Sequence, residues 1–564
     1  MPRPEISGRK LGWMLLLVTL VLLFGQFDHQ LWTPDEPREA AIALEMYRSG
    51  DWVVPTLGGR SFIEKPPLFY MAALPFFDGF ASWLGITNTL RLAGVVWAAG
   101  MLLFTGLLAY RLLGNRSAAL WSVIALGTME GFIINTHWIR TDSALAFFVV
   151  FTLWAFAEYY LAHRNLMAII AGVGLAGCFM AKGPIGPLTV FFGWLPLFLF
   201  AARKAVNEKS VPVFIFQHLP VLLFFILPVA AWVRELINHT DGDALWHEWF
   251  WQNQVGRLTG TSTELGHIKK GAYLYYLWGM VEYTIPWLPF IFYWGWQTVK
   301  QREWSRERLF LLCWALGTLL LLTISSTKRT LYLFPLLPVF AIMLGQVSLS
   351  WPVWAARYGR GWLYFMLLFC VVIIALPLLG LPLPLPLPFA SQIPAEVQLA
   401  ASKLGWRYIP AIILFVMALE LLLRRKEVHG AIHVTSSVAI MFLLTFALVY
   451  PLIDAAKGVS GKMTHLLEGI PLETRDRIAG WRLGETELGL LSVYEEMQVV
   501  NLDGQGVRDV LACHDARFDA VLVNGTAQEM ANLLEGIPYR QLVQTSLRSD
   551  KGQLLTLVAA EQCH

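Results

Sequence analysis

Long apolar stretches recur along the whole of this 564-residue sequence, and they constrain its fold more than any other feature. Each is about as long as a helix must be to cross roughly 30 Å of hydrocarbon. Only 15% of the residues are charged and 56% are hydrophobic, whereas a soluble globular chain has about 25% charged residues. We therefore predict an α-helical polytopic membrane protein. The net charge of +3 does not indicate a nucleic-acid partner.

The apolar stretches predict about thirteen transmembrane helices. Their ranges are 11–31, 88–113, 117–136, 142–162, 165–182, 184–202, 214–237, 274–298, 308–325, 331–349, 361–381, 408–424 and 432–451. Met1–Lys10 is short and basic, and no small-residue cleavage site follows Leu11–Phe27. We therefore expect the first stretch to be a membrane span and not a cleaved signal peptide.

The distribution of Lys and Arg predicts the orientation of these helices, because basic loops favour the cytoplasmic side. With the basic N-terminus in the cytoplasm, every second loop is short and basic. The long loops 32–87, 238–273 and 382–407 then fall on the outer side, and an odd number of spans places the C-terminal tail there as well. We therefore expect any chemistry at the outer face of the membrane.

The C-terminal tail has a different pattern, which predicts a small α/β domain at 456–564 after a transmembrane domain at 1–455. The stretch "RFDAVLVNG" is typical of a buried strand that ends at Gly525, and the helix after it has Thr526 as a candidate N-cap. The stretches "QLVQTSL" and "QLLTLVAA" predict a β-hairpin.

Cysteine and proline spacing add two expectations for the outer side. None of the five cysteines has CxxC spacing, which argues against a structural zinc or redox motif. Cys513 and Cys563 form either a disulfide, if the compartment is oxidising, or two free thiols. Leu381–Pro388, "LPLPLPLP", cannot be helical and predicts an extended spacer in the third outer loop.

The first outer loop begins with a dense group of charges, "LWTPDEPREAAIALEMYRSGDW". We predict an interfacial helix from about Asp35, with Arg38 one turn later on the same face. Asp35 alone is equally typical of a helix N-cap. In "RSFIEKPPLFYMAALPFF", Lys65 is extended because Pro66 follows it, and a second interfacial helix is predicted from Leu68. Lys65 either snorkels to the interface or binds a lipid phosphate.

Three further outer turns carry charges. Arg140 and Asp142 form a second acid–arginine pair at the same membrane depth as the first. The charged or aromatic residues of the other two turns are Arg257, His267, Lys269 and Lys270, and then Lys328, Arg329 and Tyr332. The positive-inside tendency disfavours such clusters on the outer side. They therefore indicate phosphate binding or pairing with the acids of other loops.

A lipid flippase or transporter is a rival interpretation from another functional class. Such a protein usually builds its site near mid-membrane, with acids inside the spans and often with repeated halves. The sequence has no evident halves, and the acids within its spans are isolated: Glu130, Glu158, Glu282 and Glu420. The pattern therefore favours an enzyme at the outer interface.

The motifs "DEPREA", "EKPPLFY", "RTD" and "TKRTLYLFPLLP" resemble those of the lipid-linked glycosyltransferases of the GT-C superfamily. The chain is most similar to the branch that transfers 4-amino-4-deoxy-L-arabinose. The resemblance implies an undecaprenyl-phosphate-linked sugar donor, a lipid A phosphate as acceptor and a site at the periplasmic face of the bacterial inner membrane. It also implies resistance to polymyxin and cationic antimicrobial peptides, because the amino sugar masks lipid A charge.

The resemblance also assigns roles to individual residues. Asp35 and Asp142 match the acidic residues of the family motifs, with Arg38 beside Asp35. Lys65 matches the lysine that binds the lipid phosphate. The cations and donors expected to stabilise the leaving phosphate are Lys65, Arg257, Tyr332, Lys328 and Arg329.

Three questions stay open at the level of sequence. The first is the role of Asp35, which is the natural general base for a hydroxyl acceptor. An ionised phosphate acceptor needs little base. With that acceptor, Asp35 orients Arg38, stabilises positive charge at the sugar carbon or binds a cation. Glu64 and His267 are a candidate pair of zinc ligands. The acceptor is alternatively a Ser or Thr hydroxyl, as in a protein O-mannosyltransferase.

Overall fold

The computed structural model describes residues 8–27, 29–32, 34–261, 272–302, 304–375, 398–399, 402, 404–423, 430–545 and 553–561. The helices of its apolar part are Gly8–Leu23, Ile86–Leu113, Arg116–Gly127, Glu130–Thr136, Asp142–Ala162, Leu166–Lys182, Ile185–Asn207, Val211–Ile237, Tyr275–Thr284, Leu288–Gln301, Arg306–Ile324, Leu337–Val347, Ala355–Ala375, Tyr408–Leu423, Gly430–Leu444, Tyr450–Lys457 and Val459–Leu466.

Every predicted span overlaps one of these helices or a consecutive pair of them. Within the described residues, eight helices are long and apolar enough to cross a membrane, or nine if the pair Arg116–Gly127 and Glu130–Thr136, bent by 61°, is one span. The prediction of a polytopic helical membrane protein is therefore confirmed, while the number thirteen and the orientation stay predictions.

Proline accounts for one difference from the predicted spans. The stretch predicted as a single helix at 274–298 is two helices, Tyr275–Thr284 and Leu288–Gln301, with Pro286 between them. Proline lacks an N–H and cannot continue the hydrogen-bond ladder of a helix. A π-helix, His247–Gly256, and a 3₁₀ helix, Thr330–Leu336, likewise lie between regular segments.

The first outer loop forms helix Asp35–Ser49, the short strands β1 (Thr56–Leu57) and β2 (Arg60–Ser61), and helix Leu68–Leu84. Both predicted helix starts are confirmed. Helix Asp35–Ser49 does not lie on a surface, however, because all its residues from Asp35 to Met46 are buried. It packs between the membrane helices and the C-terminal domain, so its alanines allow close contact on several sides.

The C-terminal part contains a four-stranded sheet in the order β3-β4-β6-β5. Its strands are β3 (Ile478–Trp481), β4 (Ala520–Gly525), β5 (Tyr539–Thr545) and β6 (Leu554–Ala560). Its helices are Leu472–Arg475, Glu485–Tyr494, Gly504–Leu511 and Ala527–Leu534. The strand ending at Gly525, the Thr526 cap, which accepts from the Glu529 amide at 3.3 Å, and the antiparallel β5–β6 hairpin are all confirmed.

The remaining expectations for the outer side are tested in part. Cys513 is disulfide-bonded, whereas Cys178, Cys313 and Cys370 are free thiols. The expected partner, Cys563, lies outside the described residues, as does the segment Leu381–Pro388. Gly458, which has a φ of 51°, separates helices Tyr450–Lys457 and Val459–Leu466. The predicted domain boundary at 455/456 lies close to this break and stays a prediction.

Candidate active site

Asp35 is the first residue of its helix, and its carboxylate faces two arginines. Arg329 Nη2 donates to Asp35 Oδ2 at 2.8 Å, and Arg38 Nη2 lies 3.4 Å from Asp35 Oδ1. The helix N-cap is Pro34, and no side chain caps it. Burial alone would raise the pKa of Asp35, but Arg329 and then Arg38 outweigh burial and lower it. The role as N-cap that the sequence allowed for Asp35 is therefore not what the structure shows.

Arg38 is held by acids from two parts of the chain. Its Nη2 donates to Glu39 Oε1 at 2.6 Å, and its Nη1 donates to Glu485 Oε2 of the C-terminal domain at 2.7 Å. Only 10% of the Arg38 side chain is exposed. A buried guanidinium with three carboxylate neighbours is fixed in orientation.

Lys65 lies between two glutamates, of which Glu39 is buried and Glu64 is 16% exposed. Its Nζ is 3.2 Å from Glu39 Oε1 and 3.3 Å from Glu64 Oε2. Arg257 donates to the other carboxylate oxygen of Glu64, and the Tyr70 hydroxyl donates to Glu39. Burial alone would lower the pKa of Lys65, but Glu39 and Glu64 outweigh burial and raise it. Lys65 is therefore a fixed cation and not a snorkelling side chain.

Asp142 begins helix Asp142–Ala162, as the sequence predicted, and pairs with Lys182. Lys182 ends helix Leu166–Lys182, and its Nζ lies 4.3 Å from the centre of the Tyr332 ring. Cation and ring attract each other at this distance. Asp142, Lys182 and Tyr332 thus form the membrane-side wall of the same site.

These side chains, apart from Glu485 and Tyr70, line one small polar pocket. Its lining residues are Asp35, Arg38, Glu39, Glu64, Lys65, Arg140, Thr141, Asp142, Lys182, Arg257, Arg329, Leu331 and Tyr332. Six of them are Lys or Arg and four are Asp or Glu, so the lining has an excess of two positive charges. The pocket has a volume of about 20 Å³, which is room for roughly one water molecule.

An apolar cavity of about 330 Å³ adjoins the polar pocket. Its walls include Leu145, Ile185, Leu188, Phe250, Val255, Leu321 and Leu322. Six residues line both spaces: Glu64, Lys65, Asp142, Lys182, Arg257 and Tyr332. The site therefore has a cationic end and an apolar end that meet at these side chains.

Among the described residues, one predicted site residue, Lys328, does not line the pocket. Lys328 donates to the backbone carbonyls of Thr323 at 2.7 Å and Ser325 at 2.5 Å, so it caps the end of helix Arg306–Ile324. It does not line the pocket, although its neighbour Arg329 does. The expected phosphate contact of Lys328 is thus not supported by its position. His267 lies outside the described residues.

Glu64 alone does not make a fitting zinc site. Its Oε2 makes no hydrogen bond among the described residues, although it is paired with Lys65 Nζ at 3.3 Å. Lys65 and Arg257 flank the carboxylate, and their charges repel a divalent cation. The described part of the chain has no group of three or more His, Cys, Asp or Glu that could hold a metal ion. Zinc binding by Glu64 and His267 stays a prediction.

Sequence reasoning missed four residues of this site: Glu39, Arg140, Lys182 and Glu485. Arg140 was noticed beside Asp142 but given no role. Lys182 had a usable signal, since the predicted orientation puts this lysine at the outer end of a span, against the positive-inside tendency. Glu39 lies four residues after Asp35, on the same helix face. No local signal marks Glu485, because its contact depends on how the C-terminal domain packs.

Comparison with known proteins agrees with the resemblance in the sequence. Residues 13–239 match the family described as dolichyl-phosphate-mannose-protein mannosyltransferase. The chain is similar to the undecaprenyl phosphate-alpha-4-amino-4-deoxy-L-arabinose arabinosyl transferases of Pectobacterium atrosepticum (29% identity, 62% of this chain, 60% of the relative) and Pectobacterium carotovorum (30%, 59% and 57%). The matched region thus spans about three fifths of these relatives.

The fold is also that of solved structures. The crystal structure of ArnT from Cupriavidus metallidurans bound to undecaprenyl phosphate aligns over 97% of this chain and 98% of its own, with a TM-score of 0.70 and 16% identity. The apo structure of the same protein has the same coverage, with a TM-score of 0.68 and 17% identity. These similarities agree with the resemblance to lipid-linked glycosyltransferases, and the chain has the fold of these solved structures, with a small C-terminal α/β domain.

Proposed function

We propose that this chain is a glycosyltransferase that moves 4-amino-4-deoxy-L-arabinose from undecaprenyl phosphate to a phosphate of lipid A. The observation that carries the proposal is the junction of the cationic pocket with the apolar cavity through six shared residues. An amphiphile with an anionic head and a long hydrocarbon chain matches such a site. The names and bound lipid of the similar proteins support this donor, and the acceptor follows from the resemblance of the sequence motifs.

In this proposal the donor phosphate lies against Lys65, Arg257 and Tyr332, and the polyprenyl chain occupies the apolar cavity. Cationic and hydroxyl donors stabilise the charge that develops on the leaving phosphate. The buried Nε groups of Arg38, Arg140 and Arg257 have no hydrogen-bond partner among the described residues. A phosphate would satisfy such donors, since buried polar groups are expected to be paired.

The proposed reaction is a single displacement with inversion. A phosphate oxygen of lipid A attacks the anomeric carbon while the bond from that carbon to the undecaprenyl phosphate oxygen breaks, and undecaprenyl phosphate leaves with the electron pair. Asp35 is a poor proton acceptor, because Arg329 and Arg38 hold its pKa low. An already ionised acceptor needs no base. We therefore assign Asp35 to orienting the two arginines and to stabilising positive charge at the sugar carbon.

The proposal also specifies where the enzyme lies in the cell and what its activity does to the charge of lipid A. The enzyme lies in the bacterial inner membrane, with a cytoplasmic N-terminus and with the site and residues 456–564 in the periplasm. The amino sugar lowers the negative charge of lipid A, which weakens the binding of polymyxin and cationic peptides.

A second candidate is a protein O-mannosyltransferase-like reaction on a Ser or Thr hydroxyl, which the family match over residues 13–239 favours. A hydroxyl acceptor needs a base, and the low pKa of Asp35 disfavours it in that role. A lipid transporter is not favoured, because the charged pocket is built from outer loops and from the ends of the spans.

Mass spectrometry of lipid A tests the proposal. The host is a polymyxin-sensitive bacterium that lacks its own aminoarabinose transferase and expresses this chain or its Asp35→Ala variant. We expect the wild type to add the mass of one aminoarabinose per modified phosphate and the variant to add none. Unmodified lipid A in cells with well-inserted wild-type protein would refute the acceptor, and labelled donor would then be traced into protein.

A further inference from the structure

The C-terminal domain supplies one side chain to the cluster around Asp35. Glu485 is the first residue of helix Glu485–Tyr494, and its Oε2 accepts from Arg38 Nη1 at 2.7 Å. Half of the Glu485 side chain is exposed, whereas 10% of Arg38 and 3% of Glu39 are. Glu485 therefore reaches from the surface of the outer domain toward a buried guanidinium.

The two helices touch directly beside this contact. A Cβ atom on Gly489 would lie 2.5 Å from the backbone C and O of Pro37 and 2.8 Å from Arg38 N. Real Cβ atoms do not approach backbone this closely, so glycine permits the two backbones to meet. One turn further, Ser492 Oγ donates to Glu45 Oε1 at 3.1 Å.

The same interface continues into the first outer loop. Glu45 accepts from the Gly58 amide at 2.9 Å, from the Gly59 amide at 3.1 Å and from Thr56 Oγ1 at 3.0 Å. The carboxylate of Glu45 thus joins helix Asp35–Ser49, the β1–β2 turn and the outer domain. The position of Glu485 relative to Arg38 is fixed by this packing and not only by its own ion pair.

We infer that Glu485 is a positioning residue for the transfer reaction, through which the C-terminal domain sets the orientation of Arg38 and, through Arg38, that of Asp35. This inference rests on the proposed function. Glu485 does not line the pocket, so it is not assigned a contact with substrate.

The geometry indicates which kinetic constant depends on Glu485. Arg38 makes strong contacts with Glu485 and Glu39 but only a 3.4 Å contact with Asp35. Without the Glu485 carboxylate, the guanidinium is free to turn toward Asp35 and to compete with Arg329, which binds Asp35 at 2.8 Å. The carboxylate of Glu485 pairs with Arg38 and not with the donor-phosphate ligands Lys65, Arg257 and Tyr332, so these ligands stay in place. The catalytic rate therefore falls while donor binding is preserved.

The test compares Glu485→Gln with a matched variant of the same interface, Glu496→Gln. Glu496 pairs with Arg48 of helix Asp35–Ser49 at 3.5 Å, is 74% exposed and lies away from the pocket. Steady-state transfer is measured with purified full-length protein, undecaprenyl-phosphate aminoarabinose and lipid A. We expect Glu485→Gln to lower kcat about tenfold to a hundredfold with an unchanged donor KM, since small misplacements of reacting groups have effects of this size. Glu496→Gln should retain wild-type kcat, and Glu485→Asp should recover part of the loss.

Three results overturn the inference in distinguishable ways. If the wild type transfers sugar and Glu485→Gln has the same kcat as Glu496→Gln, the positioning role is refuted while the proposed function stands. If Glu485→Gln changes donor KM and kcat together with its thermal unfolding midpoint, Glu485 is a structural contact only. If folded wild type transfers no sugar, the proposed function is refuted and the inference with it.

Discussion

Arg329 and Asp35 are 294 residues apart in the sequence, yet Arg329 Nη2 donates to Asp35 Oδ2 at 2.8 Å. The pair joins the turn before helix Leu337–Val347 to the start of the first outer helix. Only 8% of the Asp35 side chain is exposed, so the carboxylate and guanidinium interact with little screening by water. This contact keeps Asp35 ionised and fixes it on one side of the pocket.

Replacing Asp35 with Asn removes the charge and keeps the shape of the side chain. We expect kcat/KM to fall about a hundredfold or more, because a fixed charge near the reacting carbon is lost. In the wild type, the low pKa of Asp35 means that its protonation should not reduce the rate between about pH 5 and pH 8. Asp78→Asn is the control, since Asp78 accepts from Tyr47 on the exposed face of the same loop. Equal rates for the two variants would contradict the role of Asp35.

Replacing Lys65 with Met should affect both donor binding and folding. The variant leaves Glu39 and Glu64 without one of their partners in a buried site, which typically costs about 3 to 5 kcal/mol. We expect a higher donor KM and a lower unfolding midpoint, measured on detergent-solubilised protein. Lys65→Arg should retain most of the stability because it preserves the charge. An unchanged donor KM in folded Lys65→Met would exclude Lys65 as a phosphate ligand.

The Glu64–Lys65 pair predicts how stability depends on pH. Burial would raise the pKa of Glu64, but Lys65 and Arg257 hold it well below its usual value. The ionised Glu64 therefore contributes stability that is present above about pH 4.3 and is lost as the pH falls through the lower folded pKa. Lys65 has a raised pKa in the folded protein. The stability that its charge contributes is therefore fully present below about pH 10.4 and is lost only as the pH rises through the folded pKa.

Unfolding midpoints at several pH values test this pair. We expect Glu64→Gln to be less stable than the wild type at pH 7 and to lose less stability than the wild type between about pH 5 and pH 3. Parallel curves for the two proteins over this range would show that Glu64 does not have a lowered pKa in the folded state.

Lys182 and Lys328 provide a matched pair of substitutions to Met. Lys182 lines both the polar pocket and the apolar cavity, whereas Lys328 caps a helix with its ammonium group. We expect Lys182→Met to raise the donor KM about tenfold, the size of one charge-assisted contact. Lys328→Met should lower the unfolding midpoint with little change in donor KM. A larger rise in donor KM for Lys328→Met than for Lys182→Met would reverse this assignment.

The contrast between Lys328 and Arg329 illustrates what sequence could and could not predict. Apolar length predicted the helical class, and the two acid–arginine pairs that the sequence placed at one membrane depth line the same pocket in the structure. Which of two adjacent cations faces the pocket depends on the backbone conformation of the short non-helical segment before 3₁₀ helix Thr330–Leu336, for which the sequence has no distinct pattern. The C-terminal domain illustrates the same limit: its strands followed from local pattern, whereas its contact between Glu485 and Arg38 depends on tertiary packing.

The apolar cavity predicts a variant that separates binding of the lipid chain from binding of the phosphate. Leu188 of helix Ile185–Asn207 is 44% exposed and lines the cavity, whereas Leu199 of the same helix is 56% exposed and does not line it. Leu188→Trp should fill part of the 330 Å³ space and raise the donor KM about tenfold, since overpacking costs roughly 1 to 3 kcal/mol. A donor with a much shorter prenyl chain should be affected less, because it leaves much of the cavity empty. Leu199→Trp is the control, and an equal effect of Leu188→Trp on long and short donors would place the lipid chain elsewhere.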